Sequence, residues 1–284
     1  MSSTSSPFIP TLLNDSVALV TGGGSGIGLE ISRLLIAHGC SVCIMGRRLP
    51  VLLSSSQSLG SSCCTYYRGS VRLPQDCTAA VKHTVETFGK LTILINAAAG
   101  NFLSSARDLT PNGFSAVVST DLLGTFNMCH SAFPYLSSSS SPQPSSPSPC
   151  IVNISATLHR PATFYQSHAS ASKAGVDSLT RSLALEWGPL SIRVNGVAPG
   201  PIGDTEGMRR LGPGEEAARE IAGERIPMGR MGRKKDIGYA VLYLVSDAAG
   251  WVTGETVVVD GGEKLYRGEQ IFDEDTVRSM RAKL

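Results

Sequence analysis

Apolar residues along the chain fall into two rhythms. Short β-branched runs closed by glycines or turn residues, such as "SVALVTGGG" (16–24) and "CSVCIMGRR" (40–48), read as buried strands. So do "LTILINAAAG" (91–100), "CIVNIS" (150–155), "SIRVNGVAPG" (191–200) and "ETVVVDGG" (255–262). Between them the apolar positions recur at helical spacing. "IGLEISRLLIAHG" (27–39) stops at a glycine, "TAAVKHTVETFGK" (78–90) is amphipathic, and helices are expected over 112–135, 167–187 and 234–247. A third strand is expected ahead of Arg72, where the rhythm gives it no clear bounds. Strands alternating with helices imply parallel βαβ units, hence an α/β fold with one doubly wound parallel sheet and helices on both faces.

One stretch breaks the pattern. "SSSSSPQPSSPSP" (137–149) is Ser/Pro low complexity, which cannot bury a core, and it reads as a loop insertion away from the ligand end of the sheet. Nothing splits the chain in two. A single domain is expected over 14–262, after a flexible lead-in at 1–13 and before a polar tail at 263–284.

Composition narrows the function classes. Hydrophobic residues make up 42% and charged residues 17%, enough for a large core and too little charge for disorder. A net charge of +2 gives no bulk field for nucleic acid or a membrane surface, so an anionic ligand must be held by a few local arginines. No run of 18 apolar residues suggests a membrane span. Among the seven cysteines only Cys40 and Cys43 stand at CxxC spacing, inside an apolar run, and there is no second such pair and no zinc spacing with histidine, so no metal site is expected, and the thiols read as free or buried.

The first strand leads into "VTGGGSGIG". Gly22, Gly26 and Gly28, with Gly23, Gly24, Ser25 and Ile27 between them, allow a tight turn and close backbone approach. The helix that follows offers unpaired N–H groups and its positive dipole end to a pyrophosphate, a Rossmann-type arrangement. About twenty residues on, where an acidic residue would hold the ribose hydroxyls of NAD, stand Arg47 and Arg48. Two cations there suit a 2′-phosphate, so NADPH is the expected cofactor.

Four ordered motifs resemble the short-chain dehydrogenase/reductase family over residues 14–262: TGxxxGxG at 21–28, "NAAAG" at 96–100, a lysine on a helix, and "PGPI" at 199–202. The resemblance implies that Asn96 and Gly100 shape the adenosine side of the cofactor pocket, with Ser70 standing where an aspartate is usual near the adenine. It also implies that Lys173 holds the nicotinamide ribose. Pro199, Gly200, Pro201, Ile202, Gly203, Asp204 and Thr205 would close over the nicotinamide amide.

The usual catalytic set of that family is Asn, Ser, Tyr and Lys. Here the asparagine position is Asp121, the serine position Ala156 and the tyrosine position Ala169; only Lys173 is kept. Reduction of a ketone needs a hydroxyl to protonate the alkoxide, and that donor is missing. "NAAAGNFL", "DLLGTFN", "HASASKAGVD" and "GPIGDTEGMRRLG" resemble a narrower subgroup that reduces 2,4-dienoyl-CoA thioesters to trans-3-enoyl-CoA in peroxisomal β-oxidation. There the hydride goes to the δ carbon and the proton is wanted on the α carbon. The resemblance implies Asp121 as the acid, acting through a bound water, and Lys173 as positioning the cofactor and adding positive charge near the thioester oxygen.

For the fatty acyl-CoA substrate, Arg72 and Arg210 are candidates for the CoA phosphates, and Phe102, Thr110, Pro111 and Asn112 for the acyl chain and pantetheine. The last residues, Ala282-Lys283-Leu284, are a variant of the SKL address read by the peroxisomal import receptor. Family members are usually dimers or tetramers built on the helices at 112–135 and 167–187. Two other readings stay open: a carbonyl reductase using Tyr165 or His168 as donor, and an NADPH-binding protein without activity. His159 and His168 read as packing or surface residues.

Overall fold

The computed structural model describes residues 6–138, 148–159, 161–205 and 223–265. Among these, seven strands form one sheet: β1 (Val17–Thr21), β2 (Ser41–Gly46), β3 (Cys64–Arg68), β4 (Ile93–Asn96), β5 (Cys150–Ile154), β6 (Arg193–Pro199) and β7 (Thr256–Val259). The order is β3-β2-β1-β4-β5-β6-β7 and every pairing is parallel. The helices are α1 (Gly26–Ala37), α2 (Leu49–Leu59), α3 (Pro74–Phe88), α4 (Pro111–Ser138), α5 (Ser167–Trp187) and α6 (Lys234–Val245). The expected α/β architecture is the one observed.

Strand β1 is buried from end to end, which explains why it reads as an unbroken apolar run rather than an alternation. Ala18 and Val20 pack with Ile31 and Leu35 of α1 and Val241 and Val245 of α6. Leu19 faces the other way, with Val81 of α3, Met128 of α4 and Leu183 of α5. Two cores on opposite faces therefore hold one sheet. The chain order reverses direction between β1 and β4, and at such a switch point the carboxyl ends of the strands leave a crevice for a ligand.

The lead-in expected to be flexible is packed from Ser6 onward. Leu13 is buried and donates its N–H to the His38 carbonyl at 2.8 Å, and His38 meets the Ser6 hydroxyl at 2.8 Å. Phe8 and Leu12 lie against the core and give the segment its anchor. Helix α4 reaches Ser138, overlapping the start of the Ser/Pro stretch, whose residues 139–147 lie outside the described ones, as do 206–222 and the tail from 266.

All seven cysteines are free thiols, six of them buried. Burial pushes Cys43 and Cys129 up to about 12, so neither supplies a thiolate near neutral pH. Among the described residues no helix is long and apolar enough to cross a membrane.

Candidate active site

The glycine turn packs as tightly as a phosphate cradle requires. Gly22 has φ 67°, and a Cβ there would sit 2.8 Å from the Ala97 carbonyl oxygen; one on Gly28 would sit 2.5 Å from that of Gly22. Gly26 (φ 58°) faces open space, with nothing within 4 Å of where its Cβ would be. Ser25 is the N-cap of α1 but makes no side-chain cap, so the first-turn N–H groups of Ile27 and Gly28 stay available to an anion. Arg47 and Arg48 stand exposed at the end of β2, and Arg48 reaches Ser25 Oγ at 3.3 Å. An open glycine floor, a helix N-terminus and two arginines fit a nucleotide phosphate chain and a 2′-phosphate. Thr21, which the sequence reading passed over, locks this floor to β4 by accepting the Ala97 and Ala98 N–H groups, both at 3.0 Å.

Asp121 sits in the middle of α4, on the stripe that also carries Val117, Thr125, Met128, Ala132 and Leu136, all buried. A carboxylate on a core stripe must be paired. Its Oδ1 accepts the Gly100 N–H at 2.8 Å, and its Oδ2 lies 3.2 Å from Lys173 Nζ. Lys173 is buried on α5 and also donates to the Ile154 carbonyl at the end of β5, at 2.9 Å. The two helices meet closely here because Gly175 has no side chain: a Cβ on it would press on Leu122 at 2.8 Å. Three elements thus converge on one ion pair at the carboxyl edge of β4 and β5.

The Gly100 backbone thereby serves Asp121. Asn96, expected beside the adenosine, turns its amide into the sheet, where Nδ2 donates to Asn153 Oδ1 at 2.9 Å and ties β4 to β5. Just beyond, Phe102 packs against His168 with ring centroids 4.4 Å apart and planes tilted by 39°, and it lies under Gly113, the residue whose N–H Thr110 Oγ1 caps at 3.1 Å. Phe102, Thr110, Pro111 and Asn112 are therefore neighbours and all exposed. Ser70 and Arg72 lie together on a groove of about 570 Å³ with Leu73, Ser119, Leu123 and Phe126.

Pro199 ends β6, Gly200 is bonded to the Val259 carbonyl at 3.0 Å, and Ile202 is buried and bridged to Gly232. Gly203, Asp204 and Thr205 continue from there as a turn, Asp204 at φ 53°. Arg210 lies outside the described residues. His159 pairs with Asp177 at 3.0 Å and belongs to a separate cluster. Tyr165 is 58% exposed, in the loop before α5, with its carbonyl rather than its hydroxyl engaged. Ala169 is buried.

A family model described as enoyl-(acyl carrier protein) reductase matches residues 22–264. The chain belongs to the short-chain dehydrogenase/reductase family. A peroxisomal 2,4-dienoyl-CoA reductase [(3E)-enoyl-CoA-producing] of Arabidopsis thaliana is 49% identical over 98% of this chain and 94% of its own length. A protein of the same description from Pongo abelii is 43% identical over 98% of this chain and 93% of its own. Among solved structures, a short chain dehydrogenase from Bacillus anthracis superposes with a TM-score of 0.78 at 32% identity, over 89% of this chain and 98% of that one.

As a short-chain dehydrogenase/reductase the chain is unusual in the residues around its lysine. Ala156 and Ala169 stand where the hydroxyl donors of the family would be, and the lysine's partner is a buried carboxylate on the neighbouring helix. His168, read from sequence as a packing residue, is fully buried with neither ring nitrogen hydrogen-bonded.

Proposed function

We propose that the chain reduces 2,4-dienoyl-CoA to trans-3-enoyl-CoA with NADPH, in the peroxisomal β-oxidation of unsaturated fatty acids. The observation that carries this reading is the buried Asp121–Lys173 pair in a site stripped of hydroxyl donors at 156 and 169. A ketone reductase could not protonate its alkoxide there. A conjugated thioester needs its proton on carbon, and a carboxylate can deliver one through an oriented water. The names of the relatives from Arabidopsis thaliana and Pongo abelii agree with it.

The nicotinamide cofactor supplies a hydride to the δ carbon of the substrate. The residues of the chain do the rest. Gly22 to Gly28 and the start of α1 hold the pyrophosphate, and Arg47 with Arg48 holds the 2′-phosphate. Lys173, fixed by Asp121 and Ile154, offers a remaining N–H to the ribose. Phe102 and the 110–112 turn flank the thioester arm, and Arg72, with Arg210, meets the CoA phosphates. Apolar residues exposed on α4 and α5, Leu123, Phe126 and Leu185, support assembly into a dimer or tetramer.

The test mixes the protein, NADPH and hexadienoyl-CoA and follows the loss of absorbance at 340 nm, with the product identified by mass spectrometry and NMR. Turnover to 3-enoyl-CoA supports the reading. Turnover of simple ketones in its place returns the carbonyl-reductase reading, and NADPH binding without turnover of either leaves a cofactor-binding protein. For localisation, removing Ala282, Lys283 and Leu284 from a fluorescent fusion should leave it cytosolic with activity intact. Continued punctate import would place the address elsewhere.

A further inference from the structure

When hydride adds to the δ carbon, the electron pairs shift along the chain: the 2,4-diene becomes a 3-ene joined to an enolate, and negative charge collects on the thioester oxygen. Protonation of the α carbon then restores the carbonyl. In between, the oxygen needs a donor in a water-poor site. Hydroxyls at 156 and 169 would serve and are absent. Lys173 already spends two of its N–H groups on Asp121 Oδ2 and the Ile154 carbonyl.

His168 is the polar group in the right place without a task. It lies on the first turn of α5, beside the alanine that replaces the family tyrosine, and is 0% exposed. Neither Nδ1 nor Nε2 makes a hydrogen bond of good distance and angle, although the Phe102 backbone lies close enough to favour the protonated ring. Its ring packs on Phe102, two residues from the Gly100 amide that holds Asp121. Leaving such a ring unsatisfied carries the desolvation cost of each buried polar atom with no bond to offset it, so a leucine would serve packing better. An imidazole so placed beside Phe102 is poised for a partner that the chain itself does not supply.

Resting on the dienoyl-CoA reading above, we propose that His168 is a further catalytic residue, whose ring N–H donates a hydrogen bond to the thioester oxygen as the enolate forms. Burial lowers the imidazole below its usual range, outweighing the Phe102 backbone and the Asp121 carboxylate, which pull the other way. The ring is therefore neutral at the pH of the reaction. A neutral imidazole is a hydrogen-bond donor but a very weak acid, so it polarises the carbonyl without giving up its proton. The proton on the α carbon comes from water relayed by Asp121, and His168 is unchanged over the cycle.

The proposal separates stability from activity. His168→Leu removes two unsatisfied polar atoms, so its melting temperature should equal or exceed that of the parent. Its kcat on hexadienoyl-CoA should nevertheless fall about 10²–10³-fold, the usual effect of losing one oxyanion donor, with KM changed only a few-fold. His168→Gln keeps an N–H donor and should recover at least a tenth of the parent rate. The second readout is the thioester carbonyl stretch of hexadienoyl-CoA in the dead-end complex with NADP⁺. The stretch should move to lower frequency in the parent and in His168→Gln and return towards the solution value in His168→Leu. Parental kcat, and a carbonyl stretch as low as in the parent, in a stable His168→Leu would make His168 a packing residue and overturn the proposal. Absence of turnover by the parent would instead sink the dienoyl-CoA reading itself.

Discussion

Asp121→Ala should bind NADPH as well as the parent does and turn over dienoyl-CoA about 10²–10⁴-fold more slowly, the usual range for a positioned general acid. Cofactor binding survives because the glycine turn and the two arginines do not contact the carboxylate, and Lys173 keeps its bond to the Ile154 carbonyl. Asp121→Asn should do nearly as much harm. An amide can hold a water, but it cannot pass on a proton at neutral pH. It also meets two donors: Oδ1 takes the Gly100 N–H and Oδ2 faces Lys173, so the NH₂ group opposes one of them whichever way it turns. Tyr165→Phe is the control. That ring is exposed in the loop before α5, and its loss should change the rate less than a few-fold. The measurement is steady-state kinetics at saturating NADPH, with melting temperatures to exclude loss of folded protein. A crippled Tyr165→Phe beside a mild Asp121→Ala would move the donor to the phenol and return the carbonyl-reductase reading.

How much of this was legible in the sequence depends on which physical signal each residue leaves. The strands that lie inside the sheet announce themselves as unbroken apolar runs because both of their faces are covered. The segment between β2 and α3 hides for the opposite reason. Helix α2 buries serines as well as leucines: Ser55 donates to the Gly24 carbonyl at 2.9 Å and Ser56 to that of Cys64 at 3.4 Å. Hydroxyls on a buried face erase the apolar period. Strand β3, "CTYYR", is at the edge of the sheet and only partly buried, so it lacks the signature of its neighbours.

In the site, motif spacing located the glycine turn, Asp121 and Lys173 one by one. It could not show that the Gly100 amide serves the carboxylate, because backbone contacts leave no residue type to read. The resemblance sets Asn96 on the adenosine side, and no residue type could show that its side chain also braces the sheet. His168 reads as an ordinary packing histidine and is indeed packed. What the sequence could have offered was its place on the α5 stripe, where His168, Ser172, Lys173, Asp177 and Thr180 are buried together with Val176 and Leu183. Polar residues at core positions of a helix need partners, and the one left without any is the one to question.

Replacing Arg47 and Arg48 with Asp and Ile should weaken NADPH binding by about 2–4 kcal/mol, roughly 30- to 800-fold, while NADH binding improves or holds. The figure is two charge-assisted hydrogen bonds at about 1.5–3 kcal/mol each, reduced by salt screening of exposed groups. The structure sharpens the asymmetry between the two. Arg48 touches Ser25 at the N-cap of α1 and is the N-cap residue of α2, so part of its loss would be structural. Arg47→Asp alone is the cleaner probe of the 2′-phosphate. It should show most of its cost against NADPH and almost none against NADH, and that cost should shrink as salt is raised from 50 to 500 mM, because a phosphate–guanidinium contact at the surface is screened. Titration by fluorescence or calorimetry at several salt concentrations reads all of this. Equal losses for both cofactors, or a loss independent of salt, would mean that the arginines support the fold around β2 and that the 2′-phosphate is held elsewhere.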